Sequence, residues 1–128
     1  MKRILIVDDN PDVGISVQIG LRRHGYSVDV YTNPVNAVAD FKPNSYDFVL
    51  VDIRMPVLDG FEVYRRIKST DPNVEACFFS SFNTEDFDLS KHPDIRTALH
   101  LEKPASIATI INMIESASRK QPDIAQPS

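Results

Sequence analysis

The 128-residue sequence predicts one open α/β domain built on a doubly wound, five-stranded parallel sheet. Three observations predict it. Five short apolar segments recur along the chain, and four of them are continuous rather than alternating, as strands covered on both faces require. Segments of helical period lie between them, opened by Asn-Pro or Asp-Gly signals. Side chains capable of chemistry stand just past the carboxyl ends of the apolar segments, where open α/β sheets bind ligands.

Taken in order, Arg3–Val7 is the first strand. Asn10-Pro11 then supplies an N-cap and a proline at the first helical position, after which Val13, Val17 and Leu21 share a face until Gly25 stops the helix. Tyr26–Tyr31 alternates apolar and polar residues, which places the second strand at the sheet edge. Asn33-Pro34 repeats the start signal, with Val35, Val38, Ala39 and Phe41 on one stripe before Lys42-Pro43. Asp47–Val51 is the third strand, and Phe61, Tyr64 and Ile67 begin a third helix after Asp59-Gly60. Val74–Phe79 is the fourth strand. Thr84-Glu85-Asp86-Phe87 opens a fourth helix that Pro93 interrupts, so a short or distorted helix is expected. Ala98–Leu101 is a weaker fifth strand, and Ile107, Ile110, Ile111 and Ile114 form the cleanest helical stripe. That last helix runs towards Arg119-Lys120, whose charges suit a helix C-terminus. Right-handed crossovers restrict the strand order, and 2-1-3-4-5 fits a chain this short. Residues 1–120 form the expected domain, and 121–128 a polar tail or linker stub without periodicity.

Composition narrows the function classes. No apolar run approaches the roughly 20 residues of a membrane span, and Asp8-Asp9 cut the opening apolar run too short for a signal peptide. A net charge of −4 gives no electrostatic case for nucleic-acid binding. The lone Cys77 rules out an intrachain disulfide and a cysteine-rich zinc site, and its apolar neighbours predict a buried thiol in a reducing, cytoplasmic setting.

The predicted strand order brings particular residues together. The first strand ends in Asp8-Asp9, the third in Asp52, the fourth in Ser80 and the fifth in Lys103. Three carboxylates that close repel one another, and burial strengthens the repulsion, so a divalent cation is expected among them. Mg²⁺ suits hard oxygen ligands and bridges carboxylate to phosphate. The set points to phosphoryl chemistry on a carboxylate: Asp52 as nucleophile, Lys103 and Mg²⁺ neutralising the phosphoryl oxygens, Ser80 donating a hydroxyl hydrogen bond.

These residues resemble the receiver domains of two-component response regulators, a chemotaxis-regulator-like, flavodoxin-like fold, over nearly all of residues 2–119. The matching pieces are Ile-Leu-Ile-Val-Asp8-Asp9-Asn10, Leu-Val-Asp52-Ile-Arg-Met-Pro56-Val-Leu-Asp59-Gly60, Ser80, and Glu-Lys103-Pro104. The resemblance implies that Asp52 accepts a phosphoryl group from a sensor histidine kinase or a phosphotransfer protein. It implies that Asp9, Asp52 and the backbone carbonyl of Arg54 ligate Mg²⁺, with Asp8 assisting largely through water. It also implies that the Lys103–Pro104 bond is cis, aiming the lysine into the pocket. A downstream protein target would meet the face built from the fourth helix, the fifth strand and the last helix, and a homodimer is a further expected partner state.

Each residue has a blander role as well. Asp8 and Asp9 suit the cap of the first helix, Ser80 beside Ser81 suits a turn, and Asp59-Gly60 is a turn and helix start in either case. His24 and His92 read as surface residues without a role. A haloacid-dehalogenase-type hydrolase is disfavoured, because it needs an Asp where this chain has Asn10. Convergence on Asp52 favours the receiver.

The sequence also departs from that family. Ser81 stands where Ala is usual, and His100 where Tyr or Phe usually turns inward with the Ser80 hydroxyl. Ile95-Arg96-Thr97 replaces the usual Gly-Ala pair before the fifth strand. The positions that tune dephosphorylation hold Arg54 and Phe82, neither of which orients an attacking water, so a long-lived phosphorylated state is expected. The competing function is a phosphorylation-independent protein-interaction module of receiver fold. A fragment cut from a longer regulator is a further alternative.

Overall fold

The computed structural model describes residues 2–81, 91–95 and 98–120. The elements run β1 (Arg3–Val7), α1 (Pro11–Arg22), β2 (Ser27–Tyr31), α2 (Pro34–Asp40), β3 (Phe48–Val51), α3 (Gly60–Thr70), β4 (Glu75–Ser81), a 3-10 turn (Pro93–Ile95), β5 (Leu99–Lys103) and α4 (Ile107–Lys120). The strands form one sheet of order β2-β1-β3-β4-β5, every pair parallel, as the alternation of periods predicts. None of the helices among the described residues is long and apolar enough to cross a membrane.

Each helix starts where local chemistry allows it. Asn10 and Asn33 cap α1 and α2, accepting from the amides of Asp12 at 3.0 Å and Val35 at 2.9 Å, with proline next in both cases. Asp59 caps α3 by accepting from the Glu62 amide at 3.0 Å. Ser106 accepts from the Thr109 amide at 3.1 Å just before α4. The predicted α2 stripe overruns its helix: Phe41 leaves it with extended backbone, yet its ring stays buried.

Strand pleating sorts the core into two layers. Leu5, Val7, Val49, Val51, Ala76 and Phe78 face Ala37, Phe61, Val63 and Ile67 of α2 and α3. Ile4, Ile6, Phe48, Leu50, Cys77 and Phe79 face Val17 and Leu21 of α1 and Ile110 and Ile114 of α4. Nearly continuous apolar strands are what a sheet covered twice requires.

Strands β2 to β5 each start one residue later than the sequence expectation, and two strand ends that differ from it bear on the site. β4 extends through Ser81 and β5 through Lys103, because Ser80 pairs with Glu102 and Ser81 with Lys103. Cross-strand pairing keeps these polar residues in the ladder although the apolar pattern ends at Phe79 and Leu101. The expected fourth helix over Thr84–Phe87, the residue Phe82 and the tail 121–128 lie outside the described residues.

Candidate active site

Parallel strands deliver their carboxyl ends to one edge, and the ladder continues one residue past β1 and β3. The Asp8 amide donates to the Tyr31 carbonyl at 3.0 Å, and the Asp52 amide to the Val7 carbonyl at 2.8 Å. The two aspartates are thereby pinned side by side on rigid backbone. Asp8 is 1% exposed and Asp52 8%, while Asp9 stands in solvent.

Lys103, the last residue of β5, reaches back across the edge. Its Nζ lies 2.7 Å from Asp8 Oδ2 and 3.4 Å from Asp52 Oδ1, and 5.2 Å from the Phe79 ring centroid. The Lys103–Pro104 peptide is cis. The other Asp8 oxygen accepts from the Asn10 amide at 3.0 Å. Burial, and then the neighbouring Asp8 charge, push the Asp52 carboxyl up to about 6; Lys103 pulls the other way, and Asp9 adds slightly to the rise.

Carboxylate oxygens of Asp8, Asp9 and Asp52 all lie within 4.8 Å of one another. Hard oxygen donors, with more negative charge than one ammonium offsets, fit a magnesium-type ion. Asp8, Asp9 and Asp52 are the side chains that would hold it.

Ser80 is 5% exposed, and its Oγ lies 3.2 Å from His100 Nε2. Ser81, next along, is exposed, as are the residues Arg54 and His100. Burial lowers the His100 pKa, against a smaller opposing effect from Glu102.

Three contributions were not visible in the residue pattern. A Cβ on Gly60 would stand 2.1 Å from the Asp52 carbonyl oxygen and 2.7 Å from Ile53 Cα, so the start of α3 rests directly on the Asp52 backbone. The Gly60 amide also donates to the Ile53 carbonyl at 2.8 Å. The Asp59-Gly60 pair signals a turn in sequence, but the need for glycine arises from this tertiary approach. Val57 has φ 73°, and the Leu58 amide donates to the Pro56 carbonyl at 2.8 Å, which makes a γ-turn between Asp52 and α3. His92, expected as a surface residue without a role, is stacked on Phe61 with ring centroids 3.9 Å apart. Arg65 Nη2 lies 2.7 Å from His92 Nδ1, and Arg65 also grips Asp94 at 2.8 and 3.1 Å. The apolar partner comes from α3, which sequence neighbours of His92 do not reveal.

Comparison with known proteins agrees with this geometry. A family model described as the response regulator receiver domain matches residues 4–115. The transcriptional regulatory protein PrrA of Mycobacterium bovis is 30% identical over 126 residues, covering 98% of this chain and 54% of PrrA. The chain thus spans about half the length of that relative. The response regulator receiver protein CpdR of Brucella abortus is 31% identical over 118 residues, covering 90% of this chain and 95% of CpdR. A receiver domain structure from Clostridium thermocellum shares the fold, with TM-score 0.81 and 21% identity over 97% of this chain and 99% of that one. The response regulator TrrA of Thermotoga maritima, solved with Mg²⁺ and beryllium fluoride, has TM-score 0.78 and 27% identity over 91% of this chain and 99% of its own. The chain belongs to the response regulator receiver domain family.

Proposed function

We propose that this chain is a phosphorylation-dependent signalling switch whose phosphoryl acceptor is Asp52. The observation that carries it is the placement of Asp52: buried on rigid backbone, 3.4 Å from Lys103, with Asp8 and Asp9 oxygens within 4.8 Å. A carboxylate oxygen of Asp52 attacks the phosphorus of a phosphohistidine on a sensor histidine kinase or phosphotransfer protein. The new P–O bond forms as the P–N bond breaks, and the imidazole leaves with its electron pair and gains a proton. Mg²⁺, held by Asp9, Asp52 and the Arg54 carbonyl with Asp8 assisting through water, would supply charge neutralisation for the phosphoryl oxygens. Lys103 adds a second positive charge, and the Ser80 hydroxyl donates to a phosphoryl oxygen once the group is in place.

The aspartyl phosphate then favours a second conformation, and a partner protein reads it. Moving such an equilibrium from 1:99 to 99:1 takes about 5.5 kcal/mol. Charge-assisted hydrogen bonds from Lys103 and Ser80 are a sufficient class of source. Arg54 and Phe82 set the lifetime of the phosphorylated state, and neither orients an attacking water, so loss of the group is slow; Ser81 alters the rate of phosphotransfer instead. The same reading places the chain in the cytoplasm, where Cys77 stays reduced; burial pushes that thiol up to about 12.

Incubation with Mg²⁺ and a small phosphodonor tests the proposal. The expected result is a mass gain of one phosphoryl group that Asp52→Asn abolishes while the fold remains. Absence of any gain supports the interaction-module alternative, for which His100 in place of the usual aromatic ring is the favouring observation.

A further inference from the structure

Ser80 has one hydroxyl hydrogen, and two acceptors compete for it. One is Nε2 of His100, 3.2 Å from Ser80 Oγ across the β4–β5 ladder. The other, on the reading of Asp52 as phosphoryl acceptor, is an oxygen of the transferred group. Ser80 is buried and His100 exposed, so the ring exchanges protons with bulk water while the hydroxyl depends on protein partners. A neutral ring with an unprotonated Nε2 accepts the hydroxyl hydrogen. A protonated ring donates from Nε2 instead, leaving that hydrogen for a second acceptor.

We propose that His100 is a proton-sensing positioning residue for Ser80: neutral, it withholds the hydroxyl from the phosphoryl group on Asp52, and protonated, it releases it. In the released state the chain of donors runs from His100 Nε2 through Ser80 to a phosphoryl oxygen, and each bond polarises the next. The switch therefore responds to two inputs, a phosphoryl group and a proton. The proposal rests on the phosphoryl-acceptor reading above.

Charge and burial act on the ring in opposite directions. Glu102, two residues along β5, favours the charged ring, and burial opposes it more strongly. From β4 the ring meets Ser80 and is paired with Phe78, neither of them charged. Phe78 shares its sheet face with α3 and the 3-10 turn, where Arg65 pairs with Asp94 at 2.8 Å, Arg66 pairs with Glu62 at 3.0 Å, His92 accepts from Arg65, Lys68 donates to the Pro72 and Val74 carbonyls, and Lys91 stands exposed beside the turn. Lys103 is engaged by Asp8 and Asp52.

Beryllium trifluoride, a phosphoryl mimic, tests this when titrated in excess Mg²⁺ between about pH 5.5 and about pH 8, bracketing the ordinary histidine range. The readout is the fluorine resonance of the bound trifluoride in wild type, His100→Phe, Ser80→Ala and the double variant, each checked for fold by its amide spectrum. Should His100→Phe fail to fold, His100→Leu replaces it. At the alkaline end His100→Phe should bind about fivefold more tightly than wild type, the equivalent of one ordinary hydrogen bond. That gap should close on acidification, and it should be absent at every pH in the Ser80→Ala background. Asp52 titrates in all four proteins, so only the difference between their profiles reports His100. Parallel profiles in wild type and His100→Phe overturn the proposal while leaving Asp52 as acceptor. A gap that survives Ser80→Ala overturns it too, since His100 would then act without the serine. Failure of all four proteins to bind trifluoride overturns both the proposal and the reading beneath it.

Discussion

Lys103 is held 2.7 Å from Asp8 and 3.4 Å from Asp52, so its charge is committed first to the more deeply buried carboxylate. Asp8 keeps only the Asn10 amide and its own backbone ties besides that ammonium among the bonds described for it. In the resting protein the lysine therefore holds together an acidic cluster that would otherwise repel itself.

Lys103→Ala should accordingly lower stability in metal-free buffer by about 2–4 kcal/mol, the cost of leaving a buried carboxylate without its partner. Saturating Mg²⁺ should recover a large part of that loss, since the cation replaces the missing charge. Urea denaturation of wild type and variant, with chelator and with Mg²⁺, checks both statements. An equal loss in the two buffers would assign the effect to lost side-chain packing rather than to repulsion among the carboxylates.

Asp52 sets the pH dependence of the same metal-free state. Its carboxyl titrates at about 6 when folded and near 3.8 in its ordinary state. Between those values the folded chain holds a proton that the unfolded chain has released, so stability falls as pH rises through that window. A shift of about two pKa units amounts to about 3 kcal/mol lost by neutral pH. Asp52→Asn, which cannot ionise, should be more stable than wild type by about that amount near pH 7 without metal, and nearly equal to it near pH 4. Thermal melts across pH measure the gap, and added Mg²⁺ should narrow it. A variant less stable than wild type at neutral pH would contradict the assigned burial and repulsion.

Much of this site was legible in the residues. Asp8, Asp52 and Lys103 meet because apolar strands of the right length carry them to one edge, and the rule for parallel sheets says which edge. Strand ends were less legible, since Ser80 and Lys103 belong to β4 and β5 through cross-strand pairing, which polar side chains do not advertise. Contacts made between distant elements were not legible at all. Nothing near Gly60 in sequence shows that it rests on Asp52, and nothing near His92 shows the Phe61 ring beneath it.

Gly60→Ala tests the first of those contacts. The added methyl would fall 2.1 Å from the Asp52 carbonyl oxygen, a backbone atom that cannot rotate away. α3 must then lift from β3, and a loss of about 2–3 kcal/mol is expected, at the upper end for overpacking. The site should suffer with the fold: trifluoride binding should weaken more in Gly60→Ala than in Gly25→Ala, since Gly25 has open space around it and strains only its own backbone. Comparable weakening in both would argue against direct support of Asp52 by α3.

The two histidines outside the site separate packing from exposure. His92 stacks on the buried ring of Phe61, and the exposed His24 donates from Nδ1 to the Gly20 carbonyl, 3.0 Å away. His92→Ala should cost about 1 kcal/mol, the scale of a ring pair, whereas His24→Ala should change stability by less than about 0.5 kcal/mol. Denaturant midpoints of the two variants decide it. Hydrogen exchange at the Ile95 amide, which donates to the His92 carbonyl at 3.0 Å, should accelerate in the first variant alone.

Val57 offers the opposite experiment, a substitution that should stabilise. Its φ of 73° puts a β-branched side chain in a region such residues rarely occupy, and the γ-turn closed by Leu58 and Pro56 holds it there. The side chain is 92% exposed, so removing it forfeits almost no burial. Glycine adopts positive φ freely, although it brings more entropy to the unfolded chain. Relief of backbone strain is worth about 1–3 kcal/mol and the entropic penalty about 1 kcal/mol or less, so Val57→Gly should raise stability by about 1 kcal/mol. Val57→Ala separates the two causes: it removes the branch but keeps a Cβ at positive φ, and should gain less than glycine does. An alanine variant as stable as the glycine one would place the strain in the branched side chain and not in the turn.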